Sequence, residues 1–150
     1  MKQLSNLVGD AKKREGMVAD CVQLVESEVR SKTGVSGFAV KAAFGLVKAI
    51  KPGILETTVD SLLDEFVEAI QSFYEQYQQQ GEQGTLEAFL SGRANDMAEA
   101  LLQITDRRAQ RSSSKTMVKA YGKLRPKGKV HVEQAAPGVG RVLDKHVGSL

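Results

Sequence analysis

The sequence predicts an all-α fold, a helical bundle of four longer helices with one or two short C-terminal helices. Three observations carry this. Apolar residues recur at i, i+3, i+4 and i+7 over most of the first 105 positions. Short stretches rich in Gly, Pro and Ser break the periodic segments, so successive helices become antiparallel neighbours. With 41% hydrophobic and 26% charged residues, 150 residues make one globular domain without staples, its core built mainly from Ala, Val and Leu because aromatics reach only 5% and Trp is absent.

Around Cys21, the residues Val18, Val22, Val25 and Val29 keep the helical period. Asp10 is an N-cap and Gly34 a stop, giving a first helix over about 11–31. Thr33 to Gly37 reads as a turn, with Ser36 capping a second helix to Ile50. Phe38, Val40, Phe44, Val47 and their neighbours surround that helix almost completely, leaving only Lys41, Gly45 and Lys48 as a polar stripe, which predicts the buried central helix. The two lysines are expected to snorkel to solvent or pair with acids of a neighbouring helix. Pro52-Gly53 ends the segment.

The third helix keeps its period from Leu55 to Tyr77, and its outer face holds an acidic row, Glu56, Asp60, Asp64 and Glu68. Like charges four residues apart repel, so a nearby cation is expected. Residues 78–84 form a loop. Thr85 caps a fourth helix through Leu86, Leu90, Met97 and Leu101 to Arg111, which Gly92 and Asn95 bend or split. Ser112 to Ser114 cap a short fifth helix, Lys115 to Leu124, stopped by Pro126. Lys127 to Glu133 reads as extended, Pro137 to Gly140 as a turn, and Val142, Leu143 and Val147 as a last helical turn or two. Residues 1–111 thus form the bundle core and 112–150 a basic C-terminal region docked on it within one domain.

Charge is unevenly spread. Residues 106–150 hold eleven basic and three acidic side chains, net +8, against a net −5 for residues 1–105. The candidate polyanion contacts are Arg107, Arg108, Arg111, Lys115, Lys119, Lys123, Arg125, Lys127 and Lys129, a run without an acid. Such a segment meets a phosphate backbone, an anionic membrane, or the acidic row of its own third helix, which repeats at the same spacing. Tyr121 is the only aromatic among the basic residues, which argues against base stacking.

Catalytic, cofactor and metal chemistry find no support. Gly122 to Lys129 misses the phosphate-loop spacing, and Gly138-Val139-Gly140 lacks the third glycine of a dinucleotide fingerprint. His131 and His146 have no ligand partner at useful spacing and read as surface histidines. Cys21 lies in an apolar stripe and reads as a buried structural thiol. A single cysteine and no apolar run of spanning length or secretory signal suggest the cytoplasm.

The runs Lys32-Thr33-Gly34-Val35-Ser36-Gly37, Ala39-Val40-Lys41 and Val47-Lys48-Ala49-Ile50-Lys51-Pro52 resemble an uncharacterised bacterial family of small helical proteins. The likeness covers about the first half of the chain. It implies an all-α fold and a bacterial origin, and no activity, cofactor or binding residue.

Three functions are expected, in this order. The first is a non-enzymatic interaction or scaffold protein, with an unknown protein or a second copy of itself as partner. The second is an electrostatic binder of nucleic acid or anionic membrane through residues 107–129. The third is a carrier of a small apolar ligand within the bundle.

Overall fold

The computed structural model describes residues 1–150. After a 3-10 turn at Leu4–Leu7 come seven α-helices: α1 (Ala11–Ser31), α2 (Gly34–Lys48), α3 (Ile54–Gln79), α4 (Leu86–Ser91), α5 (Ala94–Arg111), α6 (Lys115–Gln134) and α7 (Ala136–Val147). The fold is all-α. No helix is long and apolar enough to cross a membrane.

Local chemistry sets most boundaries. The Asp10 carboxylate accepts from the Lys13 amide at 2.9 Å and opens α1. Thr85 does the same for α4 through the Ala88 amide at 3.1 Å, and Ser114 for α6 through the Met117 amide at 3.2 Å. Gly92 splits the expected fourth helix into α4 and α5.

The central element is α3, not α2. Leu63, Val67, Ile70, Phe73, Tyr74 and Tyr77 of α3 join Leu4, Leu7, Met17, Leu86, Leu90 and Met97 in the core, with Ala136 and Leu143 of α7. The expectation of a buried α2 fails. Its buried stripe is narrow, consisting of Gly37, Val40 and Ala43, while Val35 is 88% and Phe38 75% exposed. It also begins at Gly34, whose positive φ of 74° follows directly on Thr33. Ser36 is therefore inside the helix and is not its cap.

Two C-terminal expectations are corrected as well. α6 runs through Pro126 to Gln134, so Lys127 to Glu133 is helical and not extended. Proline removes one backbone donor, and the carbonyl left unpaired belongs to Gly122. Pro126 and Gly122 both lie on the solvent side, where water can take that role. Side-chain bonds from either side of the proline hold the helix on its neighbours: Arg125 to Asp106 at 2.8 Å and Lys129 to Glu99 at 2.9 Å.

Pro137 to Gly140 is the first turn of α7 and not a loop. Proline suits this position because the first amides of a helix have no internal partner. The glycines serve packing. A Cβ on Gly140 would collide with Glu87 Cα and lie 2.6 Å from its amide nitrogen, so α7 meets the start of α4 backbone to backbone. At that contact the Asp144 carboxylate accepts from the amides of Leu86 (2.8 Å) and Glu87 (3.1 Å), and Arg141 pairs with Glu87 at 2.6 Å.

Gly140→Ala is therefore expected to destabilise the protein by about 1–3 kcal/mol, because the neighbouring atoms are backbone and cannot rotate away. Gly45→Ala, in an open helical position with nothing within 4 Å, is expected to stabilise by about 0.5–1 kcal/mol. Urea denaturation of both variants checks the pair; equal effects would refute the close approach.

Candidate functional site

The interior between α1, α3, α5, α6 and α7 is not filled. A partly open cavity of ≈ 330 Å³ runs there, and 19 of its 23 lining residues are hydrophobic. α1 supplies Cys21, Leu24 and Val25, α3 supplies Phe66 and Val67, α5 Leu101, α6 Val132, and α7 Val139 and Val142. The spacing of these residues is the same i, i+3, i+4 pattern that made each helix amphipathic. The stripes converge without closing, since the side chains are mainly valine and leucine. Val40, from the inner face of α2, completes the wall.

The polar lining residues are Glu28, Lys32, Thr105 and His131. Three of them meet at one end. Lys32, 7% exposed, donates from Nζ to Gln134 Oε1 at 2.9 Å and to Glu28 Oε2 at 3.3 Å. A buried ammonium is tolerated only with such partners. His131 Nε2 is 2.8 Å from Ser36 Oγ, which ties α6 to α2. Its Nδ1 is buried without a hydrogen-bond partner of good geometry. Burial and the nearby Lys32 charge push the His131 imidazole below its ordinary pKa of 6.5, against a smaller opposing pull from Gln134. The neutral ring has one donor and one acceptor nitrogen, and Nε2 is the one with a partner of good geometry. Thr105 stands apart from this end, donating to Leu102 O at 3.0 Å and lying 3.0 Å from the Tyr121 hydroxyl.

The sequence-predicted residues lie elsewhere. The basic row does not meet the acidic row. Arg14 of α1 takes that place, bonding Asp60 Oδ1 at 2.7 Å and Asp64 Oδ1 at 2.9 Å. This pairing raises the Arg14 pKa and lowers that of Asp64. Glu56 and Glu68 are exposed without an ion pair. Of the nine basic candidates, Arg108 pairs with Glu65 at 2.7 Å, Arg125 with Asp106 and Lys129 with Glu99. Arg125 and then Tyr121 hold the Asp106 carboxyl below its ordinary value. Arg107, Arg111, Lys115, Lys119, Lys123 and Lys127 are exposed and have no acid within ion-pair distance. Lys48 approaches Glu26 at 3.9 Å, while Lys41 is exposed.

Neither histidine is a surface residue. His131 lines the cavity, and His146 Nε2 sits 2.6 Å from Asp20 Oδ2 with both side chains largely buried. Burial would raise the Asp20 pKa, but His146 and Lys145 outweigh it and the value falls. Cys21 is a cavity-wall thiol, pushed up to about 11 by burial and by Asp20. At neutral pH it is a protonated, unreactive apolar group. No three His, Cys, Asp or Glu side chains converge on a metal-sized site. Sequence reasoning missed Lys32, the inward place of His131 and which residues line the cavity, although an apolar-ligand carrier was its third expectation. The one signal was a lysine immediately after an amphipathic helix, which composition cannot tell from a solvated one.

The lowered His131 pKa has a consequence for stability. The unfolded imidazole takes up a proton near pH 6.5, whereas the folded one does so only at lower pH. The unfolded state then binds more protons, and stability falls as pH drops through 6.5 towards the folded value. The urea midpoint is expected to decrease between pH 7.5 and pH 5.5, and the decrease to shrink in His131→Asn. An equal decrease in both proteins would exclude His131 as its source.

Nothing among curated proteins or solved structures matches the chain. A family's sequence signature does match, over residues 4–147, and so extends through the basic C-terminal helices beyond the first-half motifs. The chain belongs to this family, a family of unknown function (DUF6918).

Proposed function

We propose that the protein is a non-enzymatic binder of a small apolar molecule, held in the cavity between α1, α3, α5, α6 and α7. The cavity carries this reading. Its ≈ 330 Å³ falls in the usual range of ligand sites, roughly 300–1,000 Å³. An apolar cavity of about 150 Å³ already takes up benzene. The cavity is partly open, and an apolar ligand would take its lining out of water.

The polar end selects the ligand's shape. Lys32 is already matched by Glu28, so this end is close to electrically neutral. His131 lines the cavity at this end, its Nδ1 buried. A ligand with a flexible apolar body and one compact uncharged polar head, such as a medium-length acyl chain ending in a hydroxyl, suits this lining. A cytoplasmic setting fits the single thiol of Cys21.

Native mass spectrometry of the purified protein is expected to show a retained small molecule. The fluorescent probe N-phenyl-1-naphthylamine is expected to bind and to be displaced by octanol or dodecanol. Val25→Phe/Val132→Phe, which places rings into the space, is expected to weaken probe binding at least tenfold while the melting temperature holds or rises. Probe binding that survives the filled cavity, or no binding by a folded wild type, would refute the reading.

A further inference from the structure

The outer face of α2 is apolar and uncovered. Val35, Phe38 and Leu46 share that face with Ala42 and Ala49, and they are 88%, 75% and 40% exposed, with Ile50 just beyond at 38%. No other part of the fold packs there, and a solvated helix rarely keeps such a strip. The surroundings are cationic. Lys41 and Lys48 follow one edge of the helix, Lys51 lies past its end, and no acid occurs between Glu28 and Glu56. The neighbouring helix α6, joined to α2 through the His131–Ser36 contact, exposes Lys115, Lys119, Lys123 and Lys127. Val130, beside His131, is a further exposed apolar residue at 56%.

We infer that the α2–α6 face docks the protein on an anionic lipid bilayer. The two halves of the surface match the two halves of such a partner. Val35, Phe38 and Leu46 enter the boundary between headgroups and acyl chains, as the apolar side of an interfacial helix does. The lysines reach the headgroup phosphates, their aliphatic stems covering the edge of the apolar strip. Nucleic acid would attract the lysines but leave the apolar strip in water. A second copy meeting the same face would cover the strip but set lysines against lysines. This inference is independent of what the cavity holds, because none of its residues lines the cavity.

The chain has no Trp, so Phe38→Trp reports on this face alone. With phosphatidylglycerol vesicles at low salt, its emission is expected to shift to the blue, and with phosphatidylcholine vesicles to stay unchanged. Co-flotation of the wild type with the anionic vesicles is expected to fall at least fivefold in Val35→Ser/Phe38→Ser, in Lys119→Glu/Lys123→Glu, and at 0.5 M salt. All substituted side chains are exposed, so circular dichroism melts are expected to match the wild type. A folded wild type that does not float with anionic vesicles overturns the inference. So does flotation unaffected by Val35→Ser/Phe38→Ser, or a concentration-dependent dimer that this double variant abolishes.

Discussion

The approach of α7 to the first turn of α4 is the constraint on which the rest of the bundle depends. Only a residue without a Cβ can stand where Gly140 meets Glu87. Asp144, one turn later, satisfies two of the amides that the start of α4 leaves free. From its other side α7 reaches α1, through Lys145 and His146 on Asp20 and through Gly138, whose missing side chain makes room for Leu24. One short helix therefore ties α4 to α1. Val139, Val142 and Leu143, between these contacts, form a wall of the cavity. If α7 were held further out, that wall would open to water.

Ion pairs position the remaining helices more than they stabilise them. The pairs of Arg14, Arg108, Arg125 and Lys129 are partly exposed on both sides, and such pairs contribute about 0–1 kcal/mol each. Their placement is more informative than their strength. Each uses up an acid on a helix flank: Asp60 and Asp64 by α1, Glu65 by α5, Asp106 and Glu99 by α6. The cations left over are concentrated on α6 and around α2. The uneven charge along the sequence thus becomes an uneven charge across the surface.

The limits of the sequence follow from the same physics. α1 and α3 were legible because one apolar stripe opposite a polar face has one solution. Asp10 and Thr85 were legible because capping is a local interaction. The role of α2 was not, because an apolar surface has no label saying whether its own chain or something else covers it. Pro126 and the glycines of α7 were misread for a related reason. Their local meaning is a break, and tertiary contacts that the sequence does not display override it. The cavity is a deficit of volume, and no motif spells out atoms that are missing. Cys21 and Val25 looked like ordinary core positions because the pattern that fills a core also lines a hole.

α2 carries both a part of the cavity wall and the exposed apolar strip. Its inner stripe is only Gly37, Val40 and Ala43, side chains too small to bury much apolar area. Half-buried Phe44 and Val47 add to that stripe, and Ser36 to His131 and Lys48 to Glu26 are the helix's polar contacts. Val40 faces the cavity, and Phe38, two residues away, faces outward. The Ser36–His131 bond lies at the polar end, where a ligand head would rest. Displacing α2 would therefore open the polar end and the apolar wall of the cavity together.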